Sequence, residues 1–259
     1  LASAVLVGLA ATLTVSFGVH FDRSALTSGV YRYGFVTDAG SSEPLFYADG
    51  RTATVSAHRD TETGSLVIST NGKPDASMGR RWYVSGRDTL PVTAVEPGRD
   101  YMTQVLAPLV GLAHMPDARS AANVGHGSGM TGTTLLTSTS LERVVTIEIE
   151  PVMVQGSFVF LPANQPVFED PRSTFAFDDA KSFFAYNQEK FDLIFLEPSN
   201  PWVSGVSSLF TREFYRTSRD FLSPNGVLVQ WMQMYEMNDD LFLSVLAAID
   251  AEFDAYRAY

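Results

Sequence analysis

From Ser120 onward the chain repeats one pattern five times: a short apolar run, then a segment with helical spacing. The runs are SAANVGH (120–126), RVVTIEIE (143–150), STFAFDD (173–179), FDLIFLEP (191–198) and GVLVQWMQ (226–233), the last followed by a helix from about Asn238. Strands that alternate with helices in this way predict a parallel, doubly wound sheet. Ligands of such sheets bind outside the carboxyl ends of the strands. The residues at which each strand stops are therefore the candidate site.

The upstream part reads differently. Residues 44–71 alternate apolar and polar positions around a turn at TETG, which predicts a β-hairpin. Residues 72–98 hold several Gly and Pro without periodicity and read as loop. Met102, Val105, Leu106, Leu109, Val110 and Leu112 fall at helical spacing between Asp100 and His114. Residues 1–19 carry no charge and approach the ~20 residues of a membrane-spanning helix. They read either as a buried helix or as the end of a transmembrane helix of a longer parent chain. The latter is the expectation, because position 1 is not Met and no basic n-region precedes the apolar run. Three parts are thus expected: 1–19 as a short apolar helix at the membrane, 20–98 as a small β-rich unit with a loop, and 99–259 as the nucleoside-binding α/β unit, truncated at its C-terminal end.

Composition removes several function classes. The 259 residues contain no cysteine and four scattered histidines, so no metal site is expected. The net charge of −11, with no Lys/Arg-rich run, argues against nucleic acid and suits a cationic small molecule.

At the strand ends, VGHGSGMTG (124–132) places Gly125, Gly127 and Gly129 ahead of a helix, where the backbone can turn tightly and approach a ligand. The same glycines would also suit a plain turn. Glu148 and Glu150 close the second strand, where a carboxylate can accept both hydroxyls of a ribose or stand in water. Asp178 and Asp179 close the third, as ligand contacts or as a helix cap. Glu197 closes the fourth, locked between prolines in EPSNPW. Glycine or acid at four successive strand ends fits an adenosine held by its ribose, with Asp179 accepting from the adenine amino group and a sulfonium alongside. No Gly-Lys-Ser/Thr follows the glycines, so a P-loop is excluded, whereas a nicotinamide cofactor would leave the later acids surplus.

The stretches SGVYRYG, LVISTNGKPDAS, VGHGSGMTG, VVTIEIEP, EDPRSTFAFDDAKSFF and EPSNPWVSGVSSLFTREFY resemble, in order and spacing, the spermidine synthase (polyamine aminopropyltransferase) family. The resemblance runs from about 44 to 253 and is greatest to bacterial spermidine synthase-like domains fused to multi-pass membrane segments. It implies a small N-terminal β-domain before a Rossmann-like, class I methyltransferase-type sheet. It also implies decarboxylated S-adenosylmethionine as co-substrate, with no permanently bound cofactor. Glu197 matches the family acid that holds the amine and removes its proton. Gly125, Gly127, Glu148 and Asp179 match the nucleoside contacts, with Asp178 beside them.

The chain departs from the family at the other half of the site. Asn200 stands where a second acid binds the amine, Ser128 where an acid meets the donor's amino group, Asp75 where the family has Gln, and Met102-Thr103-Gln104 where it has Tyr-His-Glu. Ser128 removes a repulsion against the carboxylate of S-adenosylmethionine itself. Three functions follow: aminopropyl transfer to an amine with Glu197 as general base, methyl transfer from S-adenosylmethionine, and a non-catalytic nucleoside sensor. The expected partners are the amine, the adenosyl donor, a membrane through the N-terminal segment and a second copy in a homodimer. The catalytic part is expected on the cytoplasmic side.

Overall fold

The computed structural model of the chain describes residues 2–18, 22–36, 39–80, 100–201 and 205–259. The first helix, α1 (Ala2–Gly18), is apolar throughout. Its large side chains are exposed, with Val5, Leu6, Val7, Leu9, Leu13, Val15 and Phe17 all at least 54% accessible. It is not a core helix. No helix among the described residues is long and apolar enough to cross a membrane. Two short helices follow, α2 (Arg23–Thr27) and α3 (Val30–Tyr33).

The hairpin expected over 44–71 is the core of a four-stranded antiparallel sheet, β1 (Ser42–Asp49), β2 (Thr54–Asp60), β3 (Leu66–Thr70) and β4 (Lys73–Met78), in that spatial order. The loop expected from residue 72 is corrected over its first part: Lys73–Met78 is a strand that pairs with β3. Pro74 does not prevent this, since β4 is the last strand of the sheet and an edge position spares proline's missing N–H. The rest of that expected loop, 81–98, lies outside the described residues.

Next come α4 (Tyr101–His114), β5 (Ser120–Val124), α5 (Met130–Leu135), β6 (Arg143–Ile147), α6 (Pro151–Gly156), α7 (Gln165–Glu169), β7 (Ser173–Ala176), α8 (Ala180–Tyr186), β8 (Phe191–Leu196), α9 (Arg212–Asp220), β9 (Leu222–Gln230) and α10 (Asp239–Asp250). The five strands form one parallel sheet of order β7-β6-β5-β8-β9. The chain direction across the sheet reverses at β5, so β5, β6 and β8 open a crevice at their carboxyl ends.

Both faces of this sheet are buried, which is why its strands read as continuous apolar runs. Ala122, Val124, Val145, Ile147, Ile194 and Leu196 pack against Phe183, Phe184, Phe214 and Tyr215 of α8 and α9. The alternate residues Ala121, Val144, Leu193 and Phe195 pack against Leu135, Leu136 and Leu141. A third core joins the antiparallel sheet to the parallel one: Val55, Ala57, Leu66, Ile68, Ala76 and Met78 meet Tyr101, Met130, Met153 and Phe160.

One carboxylate fastens the same junction. Glu150, the N-cap of α6, accepts from Val152 N with one oxygen. With the other it accepts from Thr52 N at 2.7 Å and Thr52 Oγ1 at 2.8 Å. Burial pushes its pKa up, but these hydrogen bonds outweigh that and hold it below the usual carboxylate range. Gly50 carries no side chain for the same reason, since a Cβ there would stand 2.2 Å from the Glu150 carboxyl group. Replacing Glu150 by Ala strands the Thr52 donors and the α6 terminus. We expect it to lower unfolding stability by about 1.5–3 kcal/mol, the worth of hydrogen bonds to a charged group. Urea denaturation checks this, and Gly50→Ala is expected to act in the same direction.

Candidate active site

The crevice continues into a cavity of about 1060 Å³ between the antiparallel sheet and the carboxyl ends of β5, β6 and β8. Gly125 and Gly127 line it. Both have positive φ, +97° and +52°, and Gly125 runs close beside β8: a Cβ there would lie 3.3 Å from the Glu197 carbonyl oxygen. The glycines thus let the loop after β5 pass between the ends of β6 and β8.

Glu148 stands at the end of β6, 7% exposed. Its Oε2 accepts from His126 N at 2.9 Å and its Oε1 from Glu150 N at 2.8 Å. Each oxygen keeps a further lone pair for a ligand. Burial drives its pKa up to about 7, with Asp75 and Glu150 adding repulsion and the two backbone donors pulling the other way. Its sequence neighbour Glu150, also a candidate at this strand end, is the inter-sheet clamp described above.

Glu197 ends β8 in the opposite part of the wall. Burial raises it to about 7 as well, against one lowering contact, the Thr131 hydroxyl at 2.7 Å from Oε1. Prolines flank its loop at 198 and 201, and Trp202 lies outside the described residues.

The two aspartates separate in role. Asp179 caps α8, its Oδ1 accepting from Lys181 N and Ser182 N. Asp178 accepts from Asp179 N and from the Tyr186 hydroxyl at 2.7 Å. Both still line the cavity, next to an apolar strip of Ile149, Ala180, Val206 and Leu209.

Asp75 also lines it, with Lys73 Nζ and Ser199 Oγ each 3.3 Å from its Oδ1. Two other expected residues stand behind the wall rather than in it. Ser128 is buried and its hydroxyl donates to Gln104 Oε1. Asn200 is fully buried, and neither polar atom of its side-chain amide has a hydrogen-bond partner among the described residues. The cavity in turn recruits residues that the sequence pattern did not single out: Lys73, Asp100, Gln233 and Tyr235. Gln233 follows β9 and obeys the same strand-end rule, which would have found it. Asp100 sits at the start of α4, a position with no strand-end signal. No group of three or more His, Asp or Glu side chains among the described residues could hold a metal ion.

His126, inside the glycine loop, is 4% exposed and faces Phe168 and Phe175 edge-on. Ser157 donates to Val154 O, so its oxygen accepts from His126 Nε2 at 2.7 Å. Burial lowers the imidazole to about 3, which keeps it neutral.

The Spermine/spermidine synthase domain family matches residues 100–259, more than half of the chain, and the chain belongs to this family. It is 32% identical over 154 residues to a polyamine aminopropyltransferase of Nitrosomonas europaea, covering 57% of this chain and 47% of that one. With a polyamine aminopropyltransferase of Leptospira biflexa serovar Patoc it shares 26% identity over 183 residues, 71% of this chain and 63% of that one. The chain thus spans about half to two thirds of the length of these relatives. A solved spermidine synthase in complex with the transition-state analogue AdoDATO superposes with a TM-score of 0.68 at 17% identity, covering 82% of this chain and 66% of that one. The spermidine synthase of Thermotoga maritima gives 0.64 at 17% identity, over 82% of this chain and 65% of that one. The parallel sheet with an antiparallel sheet before it is the fold of these proteins, a Rossmann-like, methyltransferase-type α/β arrangement.

Two buried glutamates with raised pKa values make stability depend on pH. Each contributes fully below the ordinary value of 4.5, and that contribution is lost as pH rises through about 7. His58 and His126, both lowered by burial, act in the opposite direction, so each variant must be compared with its parent. We expect Glu148→Gln and Glu197→Gln each to gain stability relative to the parent as pH rises from 4.5 to 7. Thermal melts across that window measure it.

Proposed function

We propose that the chain is an aminopropyltransferase that moves the aminopropyl group of decarboxylated S-adenosylmethionine to an amine, with Glu197 as general base. The amine nitrogen attacks the carbon next to the sulfonium, the carbon–sulfur bond breaks, methylthioadenosine leaves, and the proton lost by nitrogen goes to Glu197. An ammonium has no lone pair to attack with, so a carboxylate poised near neutral pH is suited to the task. What carries this reading is one observation: two buried carboxylates, Glu148 and Glu197, both raised to about 7, line one cavity at the carboxyl edge of the sheet. Glu148 would accept the ribose hydroxyls. Asp178 and Asp179, beside the apolar strip, would border the base. Asp75 would lie toward the amine. The family match and the names of the relatives support the same reaction class.

A second reading has two features in its favour. Lys73 lines the cavity and offers a cation to a donor carboxylate, while Ser128 supplies no acid to repel one. Both features suit methyl transfer from S-adenosylmethionine itself. Calorimetric titration with the two donors separates the readings: aminopropyl transfer requires tighter binding of the decarboxylated donor.

Under the preferred reading, Glu197→Gln leaves donor affinity nearly unchanged and lowers turnover by roughly 10²–10⁴-fold, the usual worth of general base catalysis. Glu148→Ala weakens methylthioadenosine by about 1.5–3 kcal/mol, the loss of charge-assisted hydrogen bonds. Because the base must be ionised, kcat/KM is expected to rise with pH to a plateau above about 7. If no amine in a panel of monoamines, diamines and polyamines reacts with either donor in nucleoside-binding protein, the reading fails and a sensor takes its place.

A further inference from the structure

Thr131 is the second residue of α5 and 2% exposed. A threonine inside a helix commonly turns its hydroxyl to the carbonyl four residues back. Thr134 does so, donating to Met130 O at 2.8 Å. Thr131 instead reaches across to the end of β8, with Oγ1 2.7 Å from Glu197 Oε1 and 3.2 Å from the carbonyl oxygen of Gln104 in α4. One hydroxyl thus lies between two acceptors, one of which titrates. Oε2 of Glu197 has no hydrogen-bond partner among the described residues, and Glu197 lines the cavity.

We propose that Thr131 is the positioning residue of Glu197: its hydroxyl ties Oε1 to the first turn of α5 and leaves Oε2 to take the proton. This rests on the reading of Glu197 as the base. The arrangement serves both protonation states. While Glu197 is ionised, the Thr131 hydrogen is donated to Oε1 in a charge-assisted bond. Once Oε2 has taken the proton, the neutral carboxyl group accepts from the hydroxyl only weakly through Oε1, and the hydroxyl hydrogen is free to turn to Gln104 O. No proton is lost or gained in the exchange. The charge-assisted bond is the stronger of the two, so the hydroxyl favours the ionised form and keeps the base ready near neutral pH.

The other ionisable groups on the wall are the acids Asp75, Asp100, Glu148, Glu150, Asp178 and Asp179, the cations Arg32, Lys73 and Lys181, and His126 and Tyr235. Burial, the larger, and the Thr131 hydroxyl are the two influences on the Glu197 pKa, and no charged group on the wall is among them. A change at Thr131 is therefore read without a competing charge.

The test compares Thr131→Val, which keeps the shape and removes the hydroxyl, with Thr131→Ser, which keeps the hydroxyl. Two readouts are taken: the acidic limb of kcat/KM against pH, and the carboxyl 13C titration of Glu197 in glutamate-labelled protein, assigned by its loss in Glu197→Gln. In Thr131→Val both midpoints are expected to move up by about one pH unit, the effect of removing a charge-assisted hydrogen bond from the ionised form. Thr131→Ser returns both to the parental values. Should Thr131→Val not fold, Thr131→Ala replaces it with the same expectation. An unchanged Glu197 titration midpoint in a folded variant without the hydroxyl overturns the proposal, whatever the turnover. A shifted midpoint in protein that turns over no amine supports the hold of Thr131 on Glu197 and defeats the transferase reading alone.

Discussion

The site depends on a buried carboxylate that the backbone has fixed before any ligand arrives. Glu148 accepts one N–H from the loop after β5 and one from its own strand end, so the glycine loop and the end of β6 cannot move independently. An isolated buried carboxylate would be costly, and these two donors are what make its burial tolerable. They also leave it underbonded relative to a solvated carboxylate, which is why burial still wins and its pKa stays near 7. A ligand that brings hydroxyl donors completes the shell. The same logic applies at Glu197, where one hydroxyl replaces water and the other oxygen has no partner among the described residues. Both carboxylates are in this sense half-satisfied, and the unsatisfied halves belong to one cavity.

That cavity exists because two sheets of different kind are held together. The parallel sheet supplies strand ends, and the antiparallel sheet supplies the opposing wall through Lys73, Asp75 and Ala76. Apolar contacts from Met78, Ile68 and Leu66 to Met130, Met153 and Phe160 hold the two faces together. Glu150 adds a directional link that fixes their register, through donors almost a hundred residues away in sequence. Two glutamates two residues apart, on the same strand end and both on the cavity wall, therefore differ in bonding: Glu148 is held by two backbone donors of its own sheet, and Glu150 is spent on the joint to Thr52.

Much of this was legible before the structure. The five strands could be read because residues buried on both faces leave unbroken apolar runs, and the strand-end rule then led directly to Gly125, Glu148, Asp179 and Glu197. β4 was missed because Pro74 and Asp75 look like loop residues, and an edge strand tolerates both. The α1 helix was legible as a helix from its unbroken run of apolar residues. The division of labour between Glu148 and Glu150 was not legible, since it depends on Thr52, which no local pattern ties to residue 150. Nor was the burial of Ser128 behind the wall, where its hydroxyl donates to Gln104. Asp100 and Tyr235 entered the wall from two separate segments, the start of α4 and the loop after β9, which only the packing of the chain brings together.

The most direct measurement of the whole account is a crystal structure of the protein with methylthioadenosine bound. The account predicts the ribose hydroxyls on the Glu148 carboxylate, the base beside Asp178, Asp179 and Ile149, and the sulfur on the side of the cavity that holds Glu197. A nucleoside bound elsewhere, or bound with its sulfur turned away from Glu197, would contradict it.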